Sequence, residues 1–507
     1  MRFKKSIRNI FGGITQQIVI ILLAFINRTL FARYMGMEYL GYSSLFSNIF
    51  MWVSFVDAGF SSVMIYRFYQ AVGRKDDEEL SALVAFSQRI FTTLGVVIFT
   101  LGILITGIVP HLVKGGAELN TFELIGMYWI QLLGTVISYF SAGRRICFQA
   151  MQDDFICSNV DTAIKIFTSV LQVGMIAWKR SIYEYLFVAV LGNIISVLLF
   201  KIIQEKKYPG LIKKRIQRTT INGIDLIKDV KNFAVHKFCY LVYGATDSVV
   251  ISVFCGAQKV ARYSNYVLIY QYTSALFFGK IFDALQSSIG NFVNTETREN
   301  KKKLFDMLNV IGFSMANIVC CGYVACYQTF MKLWMGEQNL LSNTFLVLYI
   351  FTAYVTFNSE VLYKFRASYG EYADDKKWMI FSAISNLAIS IGTASRFDLV
   401  GIQAGTMVGL VFIILGRGIF VFSREPEIDF AEYIKKQLLL LAIFITETIG
   451  IISLTKLMPE GFIGLVVKGA LSVIISVCVD AVYIVITSDG RQTLKYLWAK
   501  VHVIRQR

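Results

Sequence analysis

Histidine is almost missing from this chain: His111, His236 and His502 are the only three in 507 residues, and none is placed for a catalytic pair. That scarcity removes the commonest general base and metal ligand. The eight cysteines do not replace it. Most lie inside apolar runs, Cys320 and Cys321 are adjacent, and no CxxC pair occurs, so they read as small core residues and neither a disulfide framework nor a metal site. No phosphate-cradling glycine loop is found, so the chain is not expected to hydrolyse nucleotide, and no cofactor is expected. Proline is scarce too: Pro110, Pro209, Pro426 and Pro459 all fall at the ends of apolar runs or in connections, where a missing N–H costs least. Charged residues make up only 17% of the chain against 55% hydrophobic, with a mean hydropathy of +0.57, which is too apolar for a soluble domain of this size.

What is present is a series of apolar runs, each about 20 residues long and able to cross a hydrocarbon core of about 30 Å. They fall near 10–33, 43–66, 83–108, 122–142, 156–177 and 183–203, then 233–255, 263–290, 304–327, 343–363, 378–395 and 399–422, with a last pair near 435–457 and 463–487. The expected fold is therefore an all-α polytopic membrane protein of about 14 transmembrane helices. The stretch Gln204–Lys231 divides the runs and carries eight Lys or Arg residues, so it is expected in the cytoplasm. With the amino terminus inside, the inner segments collect roughly 32 Lys and Arg against about 9 outside, which places both termini in the cytoplasm. The net charge of +16 thus sets topology and does not indicate nucleic-acid binding. The expected division is 1–203 as an amino-terminal lobe, 204–231 as the connector, 232–423 as a carboxyl-terminal lobe, and 424–507 as two further spans with an amphipathic tail. In that tail Leu494, Leu497, Trp498 and Val501 form an apolar stripe among Arg491, Lys495, Lys500 and Arg505, the pattern of a surface-lying helix.

Six spans per half is an even number, so equivalent halves share one orientation and are related by an axis along the membrane normal. At an offset of about 220 residues, Asn27 aligns with Asp247, Gly36 with Gly256, Gly41 with Ala261 and Ser44 with Ser264. The stretches Phe31-Ala-Arg-Tyr-Met-Gly-Met-Glu-Tyr-Leu-Gly, Asp57-Ala-Gly-Phe-Ser-Ser, Thr246-Asp-Ser-Val-Val-Ile-Ser-Val-Phe-Cys-Gly and Ala261-Arg-Tyr-Ser resemble the polysaccharide flippases, or O-antigen and teichuronic-acid type translocases. These belong with lipid II flippases and multidrug extrusion transporters in one superfamily. The resemblance covers the whole chain in length, span number and half-and-half layout; Ala261 stands where the family commonly has glycine. It implies that the first, second, seventh and eighth spans face one another across a cavity.

Stepping at about 100° per residue gives five spans a polar face. Gly13, Gln17, Ala24 and Arg28 share one in the first span, and Ser54, Asp57 and Ser61 in the second. Ser158, Asp161, Lys165, Ser169 and Gln172 line the fifth, where Asp161 and Lys165 form an i,i+4 acid–base pair. His236, Tyr240, Tyr243 and Asp247 line the seventh, and Tyr266, Thr273, Lys280 and Ser287 the eighth. Hydroxyls on such faces ordinarily join helices through hydrogen bonds. The cations Arg28, Lys165 and Lys280 demand more, because each must be compensated, with Asp57, Asp161 and Asp247 as the nearby carboxylates. His236 reads either as a proton relay or as an interfacial histidine. Arg67, Lys201 and Arg417 lie near span ends and are expected to snorkel. Glu447 and Asp480 sit mid-span in the last pair with no cation at their level, and are either protonated or paired elsewhere.

A cationic cavity suits an anionic amphiphile, and Arg in particular suits phosphate oxygens. The resemblance implies the substrate: a polyprenyl-diphosphate-linked oligosaccharide carried across a bacterial cytoplasmic membrane by a monomeric, non-enzymatic flippase. Energy would come from Na+ or H+, the membrane potential or substrate supply. Arg28 and Asp247 are expected to approach one another when the outer side is closed. A drug or organic-ion antiporter of the same fold would prefer an acidic, aromatic cavity; a lipid II-type flippase is the other alternative. An embedded glycan polymerase or acyltransferase would call for a large outer loop or a catalytic His or Asp pair.

Overall fold

Apolar runs of this length have one local way to satisfy their backbone in hydrocarbon, and every regular element among the described residues is helical. The computed structural model describes the backbone of residues 2–57, 60–74, 76–113, 120–151, 153–179, 181–209, 223–369, 375–425 and 427–505. Side chains are described within these stretches apart from 2–15, 223–237, 499–505 and isolated positions that include Tyr240 and Lys280. The middle of the basic connector, 210–222, lies outside the described residues.

Among the described residues ten helices are long and apolar enough to cross a membrane, and the protein is a multi-pass membrane protein. Large apolar side chains such as Val170, Phe122 and Leu457 stand exposed along them, as a lipid-facing surface requires.

The chain divides into two compact units. The first comprises Met1–Ser264 with Ala394–Asp398. It holds α1 (Arg2–Met35), α2 (Met37–Val53), α3 (Phe60–Arg74), α4 (Asp77–Thr106), α5 (Thr121–Ala150), α6 (Asp154–Trp178), α7 (Ile182–Lys207), α8 (Gly223–Cys255) and the start of α9 (Ala257–Thr273). Polar side chains define where helices begin: Asp76 accepts from the Glu78 and Glu79 amides to cap α4, and Asn120 accepts from the Phe122 amide to cap α5. Met64, Phe68, Leu83, Phe91, Ile146 and Cys147 form a buried cluster where α3, α4 and α5 meet. Helix α7 packs on α5 and α6, α1 on α6, and α2 on α8.

The second unit comprises Asn265–Thr393 with Leu399–Arg507. It holds the rest of α9, α10 (Lys280–Thr295), α11 (Arg298–Met335), α12 (Asn343–Asn358), α13 (Glu360–Ser368), most of α14 (Lys376–Arg424), α15 (Phe430–Thr455), α16 (Phe462–Ile486) and α17 (Ser488–Arg505). Helix α11 is its centre and packs against α12, α15, α16 and α17, while α10 packs on α13. The two arms of α14 approach closely because Gly405 and Gly409 lie against Ser382, Asn386 and Ser390, where a β-carbon would come within 2.5–3.2 Å of their atoms.

Several spans differ from the sequence reading. The run near 43–66 is broken by a short turn at Ser54–Asp57 between α2 and α3. The run near 263–290 is two helices joined by a six-residue π-helical segment, Ser274–Gly279, which widens the turn between α9 and α10. The spans at 378–395 and 399–422 follow without an intervening loop, the direction changing at Asp398, which adopts φ 55 and ψ −139.

Candidate functional site

The polar faces converge around α1, α6, α8 and the first turns of α9. Gln16 donates to Asn159 at 2.6 Å, and Asn27 donates to Ser169 at 2.9 Å and Gln172 at 3.2 Å, joining α1 to two residues of the stripe predicted on α6, from α1 positions that flank the predicted face. Gln17, the neighbouring predicted residue, is half-buried.

Arg28 donates to the Ser264 hydroxyl, and Asp247 accepts from the Tyr263 hydroxyl at 3.1 Å. The two groups expected to approach one another are thus held by consecutive residues of α9. Ser44 donates to Ser264 at 3.2 Å, and Asn48 donates to Ser248 at 3.1 Å. Ser44 and Ser264 are the repeat-mates named from the sequence, so the two copies of the motif meet at equivalent positions. Their glycines behave alike: Gly36 has φ 97 and Gly256 φ 93, a conformation that side chains resist, and each ends one helix and starts the next. A β-carbon at Gly41 would fall 2.0 Å from the Ala257 carbonyl oxygen, so α2 approaches the α8–α9 turn backbone to backbone.

The fifth-span stripe is rearranged. Asp161 does not pair with Lys165; the Arg145 guanidinium forks onto it, with one contact at 2.8 Å, and lies over the Phe200 ring at 4.7 Å. Arg145 reaches because α5 continues to Ala150, beyond the sequence limit of 142. A planar fork outcompetes a flexible ammonium for a carboxylate. Lys165 is left exposed, and among the described residues its ammonium makes no ion pair or hydrogen bond. Its exposure lies on the polar face of the helix. Lys165 shares its face with the buried Ser169 and Gln172, whereas exposed Phe167 and Val170 lie roughly 140–200° around the helix.

The remaining predicted residues are less concentrated. Asp57 accepts from Ser61 at 3.1 Å beside the α2–α3 break, Tyr243 is half-buried on α8, and Thr273 donates to the Ile269 carbonyl at 2.7 Å just before the π segment. The side chains of His236, Tyr240 and Lys280 lie outside the described ones. Sequence reasoning missed Asn48, Ser248, Tyr263 and Arg145. A signal existed for Tyr263, beside the repeat-mate Ser264; for Arg145 none existed short of the tertiary fold.

This is the arrangement of a membrane transporter or flippase fold. It is similar to the lipid II flippase MurJ in an inward closed conformation, with TM-score 0.69 and 14% identity over 92% of this chain and 98% of that one. It is also similar to an inward-facing multidrug resistance MATE transporter of the MOP superfamily, at TM-score 0.59 and 15% identity over 81% and 96%. A Vibrio cholerae MATE transporter, VcmN, gives 0.57 and 12% over 83% and 96%. The polysaccharide biosynthesis protein family matches residues 6–285, and the chain belongs to that family. No curated protein sequence matches it.

Proposed function

We propose that this protein is a flippase that carries a polyprenyl-diphosphate-linked oligosaccharide across the bacterial cytoplasmic membrane for cell-surface polysaccharide biosynthesis. The observation that carries the reading is Lys165: a cation inside an apolar span, exposed on the polar side of its helix, with its expected partner Asp161 taken by Arg145. A charge so placed costs about 2.5–3.5 kcal/mol on insertion scales, and it is compensated when an anionic headgroup arrives. Arg28, and on α10 Lys280, are the other cations of the site; Gln17, Asp57, Asp161, His236, Tyr240, Tyr243, Asp247 and Thr273 are its polar lining and gate. Family membership supplies the glycan, and the diphosphate supplies the negative charge.

The fourteen spans are two parallel six-span lobes, 1–203 and 232–423, joined by the cytoplasmic connector 204–231 and followed by a span pair and tail in 424–507. Both termini are cytoplasmic, the protein acts as a monomer, and the energy for alternating access comes from Na+ or H+, the membrane potential or substrate supply. With the amino terminus inside, the Gly36 and Gly256 turns face outwards, and the contacts of Ser44, Arg28 and Asn48 with α8 and α9 form a closed outer gate. A second reading, a lipid II-type flippase, is supported by the likeness to MurJ over 92% of the chain. Lys165 and Arg28 disfavour an organic-cation antiporter.

Replacing Lys165 or Arg28 by Gln removes a charge-assisted contact to the headgroup, and is expected to lower surface-glycan export roughly tenfold or more with protein abundance unchanged. Export at the wild-type rate, or export lost in step with abundance, would refute the assignment. Accumulation of peptidoglycan precursor in place of glycan precursor would decide for the second reading.

A further inference from the structure

The second unit contains two carboxylates deep in its helices that the transport reading does not use. Glu447 on α15 and Asp480 on α16 are 6% and 4% exposed, and Asn317 of α11, fully buried, lies between them. Its amide donates to Glu447 Oε2 at 2.8 Å and to Asp480 Oδ1 at 3.0 Å, so a single NH2 group bridges two acids. Ser476 donates to Glu447 Oε1 at 2.5 Å. Both oxygens of Glu447 are therefore hydrogen-bonded. Asp480 is not served equally: its Oδ2 is buried and accepts no hydrogen bond. Among the described residues neither acid is in an ion pair. The other titratable groups that interact with them are Cys321 of α11, beside Glu447, and Tyr354 of α12, beside Asp480, neither of them cationic at neutral pH. The Tyr354 ring stacks on Phe444, one turn before Glu447, with centroids 4.1 Å apart; its hydroxyl is buried without a hydrogen-bond partner.

Two adjacent negative charges held by one amide, with no counter-charge, would pay the burial cost of each ion and repel one another as well. A bound metal cation does not suit the site, because the groups pointing inward are N–H and O–H donors, whose positive ends face the carboxylates. A proton does. We propose that the Glu447–Asp480–Asn317 cluster is a buried proton-binding site, with the proton held on Asp480 Oδ2 and Glu447 ionised. The asymmetry follows from the hydrogen bonds. Glu447 receives two donors, enough to hold an anion, while a proton placed on the orphaned Asp480 oxygen removes the charge exactly where no donor answers it. The site stands apart from Arg28 and Lys165 in sequence and composition, and its occupancy does not depend on which lipid the protein carries.

The test is infrared absorption of the full chain in lipid nanodiscs at neutral pH. A protonated carboxyl group shows a carbonyl stretch separate from carboxylate bands and shifts on exchange into D2O. Subtracting the spectrum of Asp480→Asn from that of wild type should reveal this band; subtracting that of Glu447→Gln should not. Absence of the band from the first difference, or its appearance only in the second, overturns the proposal. An amide reproduces the shape and neutrality of a protonated Asp480, so Asp480→Asn should also assemble and melt like wild type. Failure of that variant to fold would equally count against a neutral acid at this position.

Discussion

Lys165 of the first unit and the buried or half-buried cations of the second are answered differently. In the second, each is answered on the spot: Arg366 forks onto Asp375 with both side chains 3% exposed, Lys364 sits on Asp283 at 2.6 Å and near Glu360 at 3.3 Å, and Lys301 meets Glu425 at 2.9 Å. In the first, Lys165 stands exposed on a polar face while Arg145 occupies the carboxylate beside it. The lesson is that a charge in an apolar helix is informative through what answers it. With a counter-charge in place it is part of the packing; where none is in place, something that comes and goes must supply it. Glu447 and Asp480 obey the same rule with the sign reversed, and there the missing partner is a proton.

The comparison breaks first, and by the largest amount, at Arg366. Arg366→Ala abandons a buried carboxylate, and removing one partner of such a pair costs about 3–5 kcal/mol. Melting of the detergent-solubilised protein should fall by many degrees, and membrane abundance should drop. Arg366→Lys should recover only part of the loss, because an ammonium cannot reproduce the fork seen on both Asp375 oxygens. If Arg366→Ala melts like wild type, buried pairing in the second unit is not structural and the contrast with Lys165 loses its meaning.

Much of this was legible in the sequence, and the reason is that it is local. The glycines at 36 and 256 were found by their spacing, since a positive φ is a property of the chain itself. The stripe on α6 follows from helix geometry, and two of its residues, Ser169 and Gln172, take the bonds from Asn27 of α1, which lies beside the face predicted there. What was not legible is tertiary. The breaks at Ser54–Asp57 and Ser274–Gly279 interrupt composition that stays apolar on both sides, so hydropathy runs straight through them. Ser264 and Tyr263 as the holders of Arg28 and Asp247 needed the fold, as did Asn317, which comes from a helix 130 residues away in sequence from Glu447.

The smallest effect sharpens the comparison most, because it asks which cation owns Asp161. Sequence spacing gives Asp161 to Lys165 one helical turn away, a pair worth a few tenths of a kcal/mol. The structure gives it to Arg145, sixteen residues earlier on α5, through two contacts. Arg145 and Asp161 are 33% and 42% exposed, so screening limits their coupling to under about 1 kcal/mol. Two double-mutant cycles on melting separate the assignments. Arg145→Gln with Asp161→Asn should be less than additive by a few tenths of a kcal/mol or more. Lys165→Gln with Asp161→Asn should be additive, and Lys165→Gln alone should leave stability within about 0.5 kcal/mol of wild type, as for an exposed side chain without an ion-pair partner among the described residues. Coupling in the second cycle, with additivity in the first, would return Asp161 to Lys165. Lys165 would then be a neutralised cation like those of the second unit, and the argument that it waits for an anionic headgroup would fall with it.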